Sequence, residues 1–129
     1  KIPFLSDPAP GGYTLDADRD GINDSWEKLA EAACINPQAA FESCSWGAGQ
    51  IMGAWWAKLG YASVFDFAWS MRESEAAHVQ AMVRYIEKFG LKSAFQQIGP
   101  NRHQCTAFAR GYNGPKQKGY DQKLAEAMR

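Results

Sequence analysis

A run of acidic residues near the N-terminus has the spacing of a calcium-binding loop. Residues 16–27 match the template D-x-[DN]-x-[DN]-G-x5-E at every fixed position. Carboxylate and carbonyl oxygens at those positions are the hard ligands that Ca²⁺ prefers, and the glycine provides the sharp turn. The predicted ligands are the carboxylates of Asp16, Asp18, Asp20, Asp24 and Glu27 and the carbonyl of Ile22.

The alternative for residues 16–27 is a solvated acidic loop without an ion. Such a loop holds five carboxylates, and each close pair repels by ~1 kcal/mol even in bulk water. Position eight is Asn23, where paired EF-hands carry an apolar residue, and no helical pattern precedes the loop. We therefore predict a single EF-hand-like loop that fixes the N-terminal segment to the first helix.

A second stretch, residues 43–53, combines glycines with groups that suit sugar binding. Gly47 and Gly49 allow a positive φ or a close approach of the backbone to a ligand. Gln50 carries two donors and an acceptor that suit an amide or hydroxyl. Trp46 offers a flat apolar face that packs under a sugar ring. The alternative is a plain glycine-rich turn that leads into an apolar helix.

A third stretch, residues 108–115, reads Phe-Ala-Arg-Gly-Tyr-Asn-Gly-Pro. Together with residues 40–53, it resembles the paired signatures of the lysozyme superfamily. The resemblance is closest to the phage-type N-acetylmuramidases, a family found in endolysins and in toxins aimed at rival bacteria. It includes residues 120–125 and extends from about residue 6 to the C-terminus.

This resemblance implies one mainly α, lysozyme-like muramidase domain over residues 1–129, corresponding to the C-terminal lobe. The implied activity is cleavage of the β-1,4 bond after N-acetylmuramic acid in peptidoglycan glycan strands. Tyr112 is implied to orient the catalytic Glu, and Asn113 to contact the acetamido group of the sugar. The candidate substrate-binding residues are Ser45, Trp46, Gln50, Tyr112 and Asn113. Two alternatives stay open, a lytic transglycosylase and a calcium-stabilised glycan-binding module without catalysis.

The identity of the general acid is the gap in this interpretation. The family resemblance places that Glu on an upstream helix, in a Val-Glu-Ser-x-Gly-like motif with no counterpart in this sequence. Glu42 lies beside the cleft motif and is the alternative acid, although a surface position at a helix end is favoured for it. We therefore expect an N-terminal segment or a partner chain to complete the active site.

Composition excludes several other classes of protein. The 129 residues carry no net charge, which gives no reason to expect binding to nucleic acid. No apolar run approaches the roughly 20 residues that cross a bilayer. Lys1 is not followed by the pattern of a signal peptide. The resemblance implies action in the periplasm or on the cell wall of target bacteria, and the three cysteines (Cys34, Cys44 and Cys105) leave the redox compartment open.

Apolar spacing and capping residues predict a helical chain after an extended loop over residues 1–13. Asn36-Pro37 and Ser63 are predicted helix starts, and Gly90 is a predicted helix end. An apolar stripe on the longest helix is predicted at Ala76, Val79, Val83 and Ile86. The predicted helices cover residues 24–33, 37–41, 53–59, 64–71, 75–89, 91–98, 102–109 and 120–128.

Overall fold

The computed structural model describes residue 16 and residues 18–129. The extended loop predicted for residues 1–13 lies outside the described residues. Within them, the chain is mainly helical, with 59% helix and 4% strand. It divides into two compact units, Lys1–Ser74 and Glu75–Arg129.

In the described part of the first unit there are three α-helices and one short hairpin. Its elements are α1 (Asp24–Ile35), α2 (Pro37–Glu42), β1 (Ser45–Trp46), β2 (Ile51–Met52), a 3-10 helix (Gly53–Trp55) and α3 (Val64–Ser70). Two predicted caps are confirmed. The Asn36 side chain accepts the Ala39 N–H at 3.0 Å, with Pro37 at the first helical position, and Ser63 Oγ accepts the Asp66 N–H at 3.0 Å. These bonds satisfy backbone donors that a helix start leaves unpaired.

The hairpin itself was not predicted. The glycine-rich turn that was the alternative interpretation of this stretch forms the loop of the hairpin, residues 47–50. β1 pairs antiparallel with β2, so that Ser45 faces Met52 and Trp46 faces Ile51. The helix predicted over residues 53–59 is only partly correct, because its first residues, Gly53–Trp55, form a 3-10 helix and turns follow over residues 56–60. The Gly53 N–H donates to the Cys44 carbonyl at 2.7 Å, and a Cβ at Gly53 would lie 2.1 Å from the Phe41 carbonyl oxygen. A 3-10 helix therefore follows the hairpin.

The second unit contains four helices, and its core lies between them. Its elements are α4 (Glu75–Lys88), α5 (Lys92–Gln96), α6 (Arg102–Asn113) and α7 (Tyr120–Ala127). Gly90 ends α4 at a φ of +69°, as predicted. The predicted stripe on α4 is only partly correct, because Ile86 is buried whereas Val79 and Val83 are exposed. No helix among the described residues combines the length and apolarity needed to cross a membrane.

α6 is one turn longer than predicted, which places Tyr112 on a helix instead of a loop. Gly111 near its end is a packing residue. A Cβ there would lie 2.4 Å from Cδ2 of Leu91, so glycine allows the last turn of α6 to approach Leu91 closely. The helix ends at Gly114, which has a φ of +89°. A positive φ of this kind favours glycine.

A buried carboxylate joins α6 to α7. Asp121 is 2% exposed and accepts hydrogen bonds from Arg102 Nε at 2.9 Å and Thr106 Oγ1 at 3.3 Å. The bond from Arg102 is the main reason that the pKa of Asp121 is lowered to about 2. Because this pKa lies below that of an unfolded Asp, the interaction stabilises the fold above about pH 4. The stabilisation is lost as the pH falls toward 2.

We expect Asp121→Asn to lower the melting temperature by roughly 5–10 °C at pH 7, because it removes the charge that pairs with Arg102. The difference from the wild type should shrink as the pH falls from 5 to 3, since Asp121 then takes up a proton in the unfolded chain while the native carboxylate, with a pKa of about 2, stays charged. Melting curves at these three pH values are the measurement. Glu126→Gln, on the exposed part of the same helix, is the control. A deficit that is the same at every pH would contradict the assignment.

Candidate active site

The side chain of Gln50 is held in place by the hairpin that presents it. Gln50 ends the loop between the strands at a φ of +48°, an unusual conformation for a residue other than glycine. Its Oε1 accepts the Ser45 hydroxyl at 2.8 Å, and its Nε2 donates to the Gly47 carbonyl at 3.1 Å. A primary amide has two N–H groups and two lone pairs. One donor and one acceptor of this exposed amide therefore remain available to a ligand.

Trp46 lies beside this amide in a row of aromatic rings. Its ring stacks on Phe41 at 5.1 Å between centroids and lies 6.3 Å from Trp26. Its indole N–H donates to the Phe41 carbonyl at 2.9 Å. Trp46 is therefore a fixed, half-buried ring whose N–H is already used within the protein, so its contribution to a ligand would come from the ring.

Glu42 is held in a way that favours its charged form. Its Oε1 accepts Gln38 Nε2 at 2.9 Å and the Trp56 indole N–H at 3.0 Å. These two bonds, the one from Gln38 first, lower the pKa of Glu42 below its usual value. A general acid needs a raised pKa to keep its proton near neutral pH. The geometry thus disfavours Glu42 as proton donor and gives it the role of linking α2 to the segment after the hairpin.

Tyr112 lies on the last turn of α6 among other aromatic rings. It stacks on Phe108 at 5.5 Å and meets the ring of Tyr85 edge-on at 5.0 Å. Burial, and then the neighbouring Tyr85, raise the pKa of Tyr112 to about 12. The hydroxyl therefore stays protonated at neutral pH and can donate a hydrogen bond. Asn113 is exposed at the final position of the same helix.

The predicted substrate-binding residues fall into two groups. Ser45, Trp46 and Gln50 come together on the hairpin of the first unit, whereas Tyr112 and Asn113 share the last turn of α6 in the second. The cleft that combines both groups stays a prediction. Sequence reasoning missed Tyr85, which contacts Tyr112. The available signal was the spacing of four residues between Tyr85 on α4 and Phe89, which follows the end of that helix.

The acidic loop brings three of the predicted calcium ligands together. One carboxylate oxygen from each of Asp16, Asp18 and Asp20 lies within 4.8 Å of the others. The two oxygens of Asp16 accept the backbone N–H groups of Asp20 and Gly21, each at 3.1 Å. Gly21 has a φ of +87°, which confirms the left-handed turn predicted there. The carboxylate oxygens of Asp16, Asp18 and Asp20 therefore point toward one common position in the loop.

Glu27 lies on the first turn of α1, where the acidic loop influences it. Loss of solvent and the charges of the loop aspartates raise the pKa of Glu27. Within the described residues, the cluster of converging oxygens comprises Asp16, Asp18 and Asp20, and it does not include Asp24 or Glu27. The donor set is suited to Ca²⁺, and the electrostatic strain on Glu27 is of the kind that a cation would relieve.

All three cysteines are free thiols. Cys34 is exposed, Cys44 is half-buried and Cys105 is buried. Burial raises the pKa of the Cys44 thiol, whereas a reactive thiol needs a lowered pKa. The site chemistry therefore rests on the amide, carboxylate and phenol groups described above.

The mainly helical architecture with its short hairpin is that of a lysozyme-like domain. The family model for N-acetylmuramidase matches residues 11–129, and the chain belongs to that family. Among solved structures, the chain is similar to the crystal structure of the Burkholderia AP3 phage endolysin, with 38% sequence identity and a TM-score of 0.62. That match covers 80% of this chain and 39% of the endolysin, so the chain spans about two fifths of the endolysin's length. No curated protein matches the chain.

Proposed function

We propose that this protein is a peptidoglycan hydrolase that cleaves the β-1,4 bond after N-acetylmuramic acid. The observation that carries the proposal is the exposed Gln50 amide, which Ser45 and Gly47 hold with one donor and one acceptor remaining. Such an amide suits the acetamido and hydroxyl groups of a glycan strand. Membership of the N-acetylmuramidase family and similarity to a phage endolysin support the same substrate. The site of action is then the bacterial cell wall, reached from the periplasm or from outside.

The proton donor in this proposal lies on a polypeptide segment outside the described residues. Among the described carboxyl groups, the pKa values of Glu42 and Asp121 are lowered by hydrogen bonds. The pKa of Glu27 is raised, but this residue belongs to the acidic loop. In this proposal Gln50 and Asn113 contact the glycan, and the Tyr112 hydroxyl orients the catalytic carboxyl. A separate segment donates the proton to the leaving oxygen.

We expect Gln50→Gly to weaken binding of the N-acetylglucosamine tetramer about tenfold, because it removes the amide hydrogen bonds. Glycine suits the positive φ at this position, so the substitution does not strain the loop. Ala48→Gly is the matched control, since it adds backbone freedom to the same loop and removes no amide. Calorimetric titration measures both. Equal affinities of the two variants would contradict the role of Gln50.

We further propose that residues 16–27 bind one Ca²⁺. The convergence of the Asp16, Asp18 and Asp20 oxygens supports this proposal. Asp24, Glu27 and the Ile22 carbonyl would complete the ligand set as the loop closes on the ion, with Glu27 binding through both oxygens. The ion would neutralise the crowded carboxylates and hold the loop against the first turn of α1. Its role is structural, and no step of the reaction depends on it.

A further inference from the structure

An aromatic cluster in the second unit surrounds Tyr112. Tyr112 contacts Phe108 and Tyr85. From Tyr85 the cluster continues to Phe89, and the centroids of these two stacked rings are 4.2 Å apart. On the other side it extends from Phe108 to Phe95, at 5.5 Å between centroids. Tyr85 lies on α4, Phe89 directly follows the end of that helix, Phe95 lies on α5, and Phe108 and Tyr112 lie on α6. Three helices of this unit therefore contribute rings to one cluster.

Two of these contacts fix the plane of the Tyr112 ring. Phe108 lies one turn earlier on the same helix and stacks on it with an interplanar angle of 28°. Tyr85 approaches from α4 at 62°, edge-on. A ring held by a stacked neighbour alone can slide along that neighbour, because offset stacking is shallow over a range of positions. The edge-on contact from a second helix removes that freedom.

The position of Tyr112 at a helix end makes this external contact important. Asn113 is the last residue of α6, and Gly114 leaves the helical conformation. Terminal turns of helices fray. Because Leu91 follows α4 and packs against Gly111, the last turn of α6 lies close to the α4 segment that carries Tyr85. Tyr85 on α4 is therefore a partner of Tyr112 that lies outside this terminal turn.

We propose that Tyr85 is a positioning residue, which fixes the direction of the Tyr112 hydroxyl through its edge-on ring contact. This inference rests on the proposed function, in which that hydroxyl orients the catalytic carboxyl. Tyr85 does not touch the substrate and acts through Tyr112. Burial raises the pKa of Tyr85 as well, so both phenols lie protonated in the same poorly solvated environment.

Tyr85→Leu is assayed in the protein completed by its acid-bearing segment. This substitution should lower kcat on peptidoglycan about tenfold and change KM by less than about twofold. A small displacement of a catalytic group reduces turnover strongly, whereas sugar binding depends on other side chains. Tyr85→Phe keeps the ring and should retain at least about half of the wild-type kcat. The ¹³C shifts of the Tyr112 ring should move in Tyr85→Leu and stay in Tyr85→Phe. Phe95→Leu is the matched control, because it removes a ring from the same cluster that contacts Phe108.

The kcat values and melting temperatures of these variants distinguish a positioning role of Tyr85 from a role in the core alone. Equal losses of kcat in Tyr85→Leu and Phe95→Leu, with equal losses in melting temperature, would show that Tyr85 is merely part of the core and would overturn the proposal. Unchanged kcat in Tyr85→Leu would overturn it too. Tyr112→Phe tests the role of Tyr112 separately from the role of Tyr85. If Tyr112→Phe is fully active, the assigned role of Tyr112 fails, whereas a loss in Tyr112→Phe without a loss in Tyr85→Leu refutes the inference about Tyr85 alone.

Discussion

The 129-residue chain assayed by itself on peptidoglycan should turn over about 10²–10⁴-fold more slowly than the same chain completed by an acid-bearing segment. This factor is the typical contribution of one general acid or base. The segment is added in trans or by fusion, and the parts of the Burkholderia AP3 phage endolysin outside the 39% matched by this chain are the segments to screen. Release of soluble muropeptides measures the rate. Glycan binding by the chain should change much less than turnover.

If the chain is fully active alone, Glu42→Gln tests whether Glu42 is the general acid. The Gln38 and Trp56 bonds to Glu42 predict that this substitution reduces activity by no more than about threefold, because a carboxylate held in its charged form is a poor proton donor. Gln38→Leu removes one of these bonds and controls for the structural effect. Full activity of the unassisted chain, abolished by Glu42→Gln and kept in Gln38→Leu, would make Glu42 the acid and contradict our account.

Calcium should raise the melting temperature of chelator-treated protein by roughly 10 °C at an excess of about a thousandfold over the dissociation constant. An ion that binds only the folded loop stabilises it by about 4 kcal/mol at that excess. Calorimetric titration should show one site. Asp18→Ala should abolish both the heat and the shift, because it removes one of the three converging carboxylates.

Glu31→Ala is the control for the calcium experiment, since it removes one negative charge from an exposed position of α1 outside the loop. This variant should respond to Ca²⁺ as the wild type does. A chelated protein that gives neither heat nor a shift on addition of Ca²⁺ would refute the site. Equal responses of Asp18→Ala and Glu31→Ala would show that the effect is a general screening of charge.

Local capping chemistry made much of the helical fold predictable. Asn36-Pro37 and Ser63 mark helix starts, because Asn36 and Ser63 have a side-chain acceptor and Pro37 has a fixed φ. Gly90 marks a helix end, because glycine tolerates a positive φ. The left-handed turn at Gly21 was predictable for the same reason.

Features that depend on contacts between distant residues could not be predicted. The hairpin has strands of two residues each, which are too short to show an alternating pattern. The exposure of Val79 and the burial of Asp121 depend on which helices pack together. The ionised state favoured at Glu42 results from Gln38 and Trp56, and Trp56 is fourteen positions away in the sequence. Apolar spacing carries no information about such partners.

The central claim is tested most directly by mass spectrometry of the products released from purified peptidoglycan by the completed protein. We predict fragments that end in a reducing N-acetylmuramic acid, because a hydrolase delivers water to the bond that it cleaves. Fragments that end in an anhydro-sugar would instead identify a lytic transglycosylase. Glycan binding without any released fragment would contradict catalysis and leave a calcium-stabilised glycan-binding module.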